Sequence, residues 1–142
     1  MLKTVSPVDI PAFMAYQSTL QTLSNVVWEK LNFQTETLDS NNAYNTSTST
    51  FVAPKAGYYQ VNAGVATDVT PSIIVLDIYI QGSPSKQICF IGNTSGNAAN
   101  GSGLVFLNAS WSLNIYVLVT GTPSTNATAR ETYFSAYFVR SS

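Results

Sequence analysis

The chain has 142 residues, the size of one domain with a real core, and 45% of it is hydrophobic. Only 9% is charged, six Lys and Arg against seven Asp and Glu, for a net charge of −1. With no basic stripe, no histidine and Cys89 as the single cysteine, nucleic-acid binding, histidine-based catalysis or metal ligation, and an internal disulfide are disfavoured.

Residues 1–10 read as extended, punctuated by Pro7 and Pro11, and are expected to be an arm that docks through Leu2, Val5, Val8 and Ile10. They lack the apolar run of a signal peptide, and no segment reaches the roughly 20 apolar residues of a membrane span. The expectation is a chain that is neither exported by the standard route nor inserted in lipid. Strands are predicted at 12–16 and 26–33, joined by a polar link at 17–25 that could instead form a helical turn. A long polar loop at 34–50 follows, then strands at 51–53 and 57–66 around the corner Pro54-Lys55-Ala56-Gly57. The next strand, 72–81, is closed by Gly82-Ser83-Pro84. A short strand at 87–91 holds Cys89 among apolar neighbours, where it reads as a small buried hydrophobe. A Gly/Asn-rich loop fills 92–103, and strands at 104–107, 113–120 and 131–140 complete the chain. No segment carries a helical period, so residues 11–142 form one all-β domain.

Three strands have two apolar faces. Side chains alternate along a strand, so Ile74, Leu76, Ile78 and Ile80 face the core while Ile73, Val75, Asp77 and Tyr79 face away. Likewise Tyr116 and Leu118 oppose Ile115, Val117 and Val119, and Tyr133, Tyr137 and Val139 oppose Phe134, Ala136 and Phe138. A solvated face should be polar, so a second buried surface is implied. It is either a subunit interface or a face covered by the chain's own loops.

Candidate chemistry is thin. The acids are dispersed, and only Asp77 interrupts an apolar strand, where a structural ion pair with Arg130, Arg140 or Lys30 is the expected role. The loop 92–103 lacks the lysine and helix of a phosphate cradle and is expected to be a mobile surface loop suited to recognition. Asn93, Thr94, Asn97 and Asn100 are its candidate contacts. Trp111 is either exposed beside them or plugs the end of the sandwich.

The block Tyr44-Asn45, Phe51 and Pro54-Lys55-Ala56-Gly57-Tyr58-Tyr59 resembles the signature of the C1q and tumour necrosis factor superfamily. Ala12-Phe13-Met14-Ala15, Leu31-Asn32-Phe33, Ile78-Tyr79-Ile80-Gln81-Gly82 and Phe134-Ser135-Ala136-Tyr137-Phe138 extend the resemblance over 11–139. It implies a ten-stranded antiparallel jelly-roll sandwich packed as a compact homotrimer. The interface candidates are Tyr58, Tyr79, Tyr116 and Tyr137, joined by Ile73, Val75, Asp77 and Leu118 from the two-faced strands. The family's Gly-Asp turn should fall near Ala109-Ser110-Trp111-Ser112, where no aspartate stands, which argues against calcium. The expected function is non-enzymatic: a trimeric structural protein of a virion surface, decorating or cementing a viral (phage) capsid or forming a fibre knob, assembled in the host cytoplasm. The alternative is a receptor- or glycan-binding head acting in host attachment.

Overall fold

A computed structural model describes residues 9–92 and 96–142. The arm residues Leu2, Val5 and Val8, and the loop residues Asn93 and Thr94, lie outside the described residues. Ile10 is described and half exposed.

In chain order the strands are β1 (Ala12–Tyr16), β2 (Glu29–Lys30), β3 (Thr35–Asp39), β4 (Tyr44–Asn45), β5 (Thr50–Val52) and β6 (Gly57–Ala66). They continue with β7 (Ile73–Ile80), β8 (Ser83–Gly92), β9 (Ala98–Leu107), β10 (Ser112–Val119) and β11 (Tyr133–Arg140). The first sheet runs β3-β1-β11-β6-β9. The second runs β4-β5-β10-β7-β8, with β2 also on β10. Every strand pairing is antiparallel. The two sheets face each other over one core, as a jelly roll requires.

Aromatic packing organises that core. Phe13 stacks on Tyr44 and on Phe51 at 4.7 Å each and meets Phe134 edge-on at 4.8 Å. Such ring pairs add about 0.5–1.5 kcal/mol each beyond their buried area. Tyr44 and Tyr59 keep their hydroxyls satisfied inside by donating to the Phe33 and Lys55 carbonyls, each at 2.8 Å. Burial pushes both phenols above their ordinary value.

Four expectations are corrected. The predicted strand 26–33 is paired only at β2, and Val26 takes a left-handed φ of 54° that ends any strand there. Leu31 and Phe33 are nevertheless fully buried, which is why the segment looked strand-like. The predicted loop 34–50 contains β3 and β4. Both sit at sheet edges, where polar residues are tolerated and no apolar alternation betrays a strand. Gly82-Ser83-Pro84 is not a closing loop. Gln81 and Gly82, with φ of 54° and 75°, form a two-residue hairpin turn, and β8 starts at Ser83.

The Gly/Asn-rich loop 92–103 is the largest correction. From Ala98 onward it is β9, paired residue by residue with β6. Its glycines answer a steric demand. In β8, Ile88 and Ser85 are extra residues against β7, and these bulges bend β8 over β9. A Cβ on Gly101 would run into the Ile88 carbonyl, and one on Gly103 would meet the Lys86 side chain at 2.9 Å. Small residues let the two sheets meet along this edge.

Candidate functional site

The residues expected to form one interface divide between two faces. β11 lies in the first sheet, whereas β7 and β10 lie in the second, so Tyr58 and Tyr137 are on one side of the sandwich. Ile73, Val75, Asp77, Tyr79, Tyr116 and Leu118 are on the other. No single continuous surface holds all eight.

On the first sheet the outward face is open. Tyr137 sits in a cross-strand row with Ala12, Gln60 and Leu104, and Tyr58 meets the Phe106 ring edge-on at 5.4 Å. Met14 is 52% exposed, Tyr137 and Val139 47% each, and Leu104 45%. Leu38 on β3 extends the patch beside Met14. The row of Leu38 and Met14 continues across the sheet as the polar Ser135, Asn62 and Ser102, which border the patch on one side. Apolar hollows of about 410 Å³ beside Met14 and Tyr133 and about 370 Å³ beside Tyr58 and Val139 mark the same face.

On the second sheet the outward side chains cover one another. Tyr79 stacks on Tyr116 at 3.7 Å, and Trp28, from the segment before β2, leans on Tyr79 at 6.3 Å. Val75 and Asp77 are buried within the subunit as a result, Asp77 being only 8% exposed. The ion pair expected for Asp77 is not made within the described residues. Lys30 donates to the Thr48 carbonyl and Arg140 to that of Ser141, while Arg130 lies in the turn before β11. Asp77 Oδ1 is buried without a hydrogen-bond partner. Burial pushes its carboxyl above the ordinary carboxylate value, and the backbone amides of Lys86 and Ile78 partly offset this. Cys89 is half-buried against the core rim.

The residues expected to share a ligand loop do not converge. Asn97 braces the chain, donating to the Thr67 carbonyl at 2.7 Å while its own carbonyl accepts the Thr67 amide. Asn100 stands on the outward face of β9, opposite Gly64. Trp111 is partly exposed, but it follows the far end of β9, about 30 Å of strand away from Asn97.

A feature missed from sequence lies near Trp111. The open edge between β3 and β4 forms a cleft of about 660 Å³ lined by Glu36, Asn41, Asn42, Asn45, Val52 and Ser110, among others. The run of asparagines at 41–45 was its only sequence signal. Among the described residues no group of three potential metal ligands comes together.

No protein-family model matches the sequence, and no curated protein matches it. Solved structures do. A crystal structure of murine APRIL at pH 8.0 superposes with a TM-score of 0.73 at 8% identity, covering 92% of this chain and 100% of that one. The globular domain of zebrafish complement 1qA protein gives 0.67 at 12% identity, with 93% and 99% covered. The Eiger TNF from S. frugiperda gives 0.70 at 9% identity, with 94% of both covered. The likeness is one of fold: this is an all-β, TNF/C1q-like jelly roll.

Proposed function

We propose that the chain is a non-enzymatic head module that works as a homotrimer through the outward face of its first sheet. The observation that supports this is the exposed apolar patch of Met14, Leu38, Tyr58, Leu104, Tyr137 and Val139. A contiguous patch of this kind on a small domain is characteristic of an interaction surface. A threefold ring uses heterologous contacts, in which the face of one copy meets a different surface of the next. The edge where β8 bends over β9 presents Phe90, 60% exposed, as a surface of matching character.

The finer reading is a structural role on a virion surface, decorating a viral capsid or forming a fibre knob. An almost uncharged module with a second exposed group at Val26, Val27 and Trp28 is suited to lasting attachment to a larger particle. In this reading residues 1–10 are the docking arm.

Analytical ultracentrifugation at micromolar concentration tests the trimer: a species of three times the 15.3 kDa chain mass is expected. A monomer that stays monomeric on concentration would overturn the assignment. Removing residues 1–10 should leave that trimer intact and abolish retention on particles; retention by the truncated trimer would remove the arm from the account.

A further inference from the structure

Lys30, Lys55, Lys86 and Arg140 each donate to a backbone carbonyl. Among the described residues Arg130 is the one cation with no acceptor, and it makes no ion pair or ring contact either. It is also the only charged group lining the hollow of about 410 Å³ beside Met14 and Tyr133. Residues 1–8 and 93–95 carry no acid, so no side-chain carboxylate is missing from this charge count.

The hollow lies on the outward face of the first sheet between two cross-strand rows. One row is Met14–Ser135 and the other is Tyr16–Tyr133–Gly64. It shares only Met14 with the exposed patch proposed for self-association. The turn before β11 brings Ala129 and Arg130 into its lining, and that turn is held in place. The Glu131 and Thr132 amides donate to the Thr128 carbonyl at 3.2 and 3.0 Å, and the Thr132 hydroxyl donates to the Asn126 carbonyl at 2.7 Å.

Tyr133 is held as well. Its ring lies against Gly64, where a Cβ would stand 2.5 Å from it, so only glycine admits the ring there. The same ring and Arg130 line a second hollow of about 170 Å³ beside Asn97 and Asn100. Glu131 lines that second hollow and not the first, and its Oε2 accepts the Thr128 hydroxyl at 3.2 Å. The hydroxyls of Tyr16 and Tyr133 have no partner among the described residues. The site therefore offers donors at its rim, an apolar bed and no acid.

We propose that this hollow binds a small organic carboxylate carried on an apolar body. Its volume falls within the roughly 300–1,000 Å³ of small-molecule sites. A guanidinium presents a planar fork that matches the two oxygens of a carboxylate. One cation balances one negative charge, whereas a phosphate dianion finds no second cation in the lining. Met14, Ala129 and the rings of Tyr16 and Tyr133 supply the bed for the ligand's hydrocarbon. This site goes beyond the trimer reading and does not rest on it.

The test titrates the full chain with phenylacetate and hexanoate, with phenylacetamide and inorganic phosphate as rivals. Binding is followed by the Arg130 Nε–H and Met14 methyl resonances. The two carboxylates should saturate the site with a Kd of about 1 mM, and phenylacetamide should bind at least about tenfold more weakly. Arg130→Gln should weaken carboxylate binding about tenfold, read at the Met14 methyl. Arg130→Lys keeps the charge without the fork and should recover only part of that loss. Arg130 is exposed, so both variants should keep the parent melting temperature. Binding should be the same in the parent and in Tyr137→Glu; a protein that proves monomeric and still binds sustains this site and removes the trimer alone. The proposal is overturned if no carboxylate binds, if phenylacetamide binds as well as phenylacetate, or if phosphate is the only ligand. It is equally overturned if binding survives Arg130→Gln, or if binding appears only in Tyr137→Glu.

Discussion

The outward rows of the two sheets are similar in composition and opposite in behaviour. On the first sheet Tyr58, Leu104, Tyr137 and Val139 stand in water, whereas on the second Tyr79, Tyr116 and Trp28 lie across one another and bury Val75 and Asp77 beneath them. The difference comes from what crosses each face. The segment leading into β2 runs past the edge of β10 and brings Trp28 over the second sheet. No described segment does the same for the first. An apolar strand face is therefore not by itself evidence of an interface: one face is completed by its own chain, and the other stays exposed.

The sharpest way to break the arrangement is at the seam where the sheets meet. Gly101→Val should place a branched side chain into the Ile88 carbonyl and destabilise the fold by about 3 kcal/mol or more, read by urea denaturation. A stable variant with an unchanged midpoint would mean that β8 does not press on β9.

Next in size, Tyr137→Glu should weaken self-association by about 2–4 kcal/mol while leaving subunit stability within about 0.5 kcal/mol. Sedimentation and thermal melting distinguish the two effects. Equal loss of folding and association would place Tyr137 in the core rather than on an interface. Tyr116→Ala should do the reverse, costing about 1–2 kcal/mol of stability through the lost stack with Tyr79 and leaving association unchanged. Dissociation by Tyr116→Ala would move the contact surface to the second sheet.

The smallest effect concerns pH. The folded protein holds the Asp77 carboxyl above its ordinary value, so the native state binds this proton more tightly than the unfolded chain. Its contribution is therefore present at low pH and is lost as pH rises through the native-state value. Asp77→Asn should flatten that slope in denaturation midpoints measured from acid to neutral pH. An unchanged slope would show that Asp77 is solvated after all.

Much of the fold was legible because burial leaves a periodic trace. β6 alternates over its first half, β7, β10 and β11 are long apolar runs bounded by turn residues, and the Phe13 and Phe134 strands announce the core. The edge strands β3 and β4 leave no such trace, since Thr35, Glu36 and Asn45 satisfy an edge as well as they satisfy a loop. β9 was hidden for a different reason. Its glycines, which normally weaken a strand, are there to admit another backbone. The cleft was illegible for the same reason as the edges that form it: Glu36 and Asn45 are nine residues apart in polar sequence, and only the pairing of β3 with β1 and β4 with β5 brings their strands to the same open edge of the sandwich.

Alternation and composition alone determined that this chain is an antiparallel β domain with more apolar surface than one core can use, because a strand declares both of its faces in every second residue. Tertiary structure alone decided which sheet each strand joined, and hence which surplus surface stayed open. That choice depends on bulges, on a glycine seam and on a connecting segment that happens to cross one face, none of which has a period that a sequence could display.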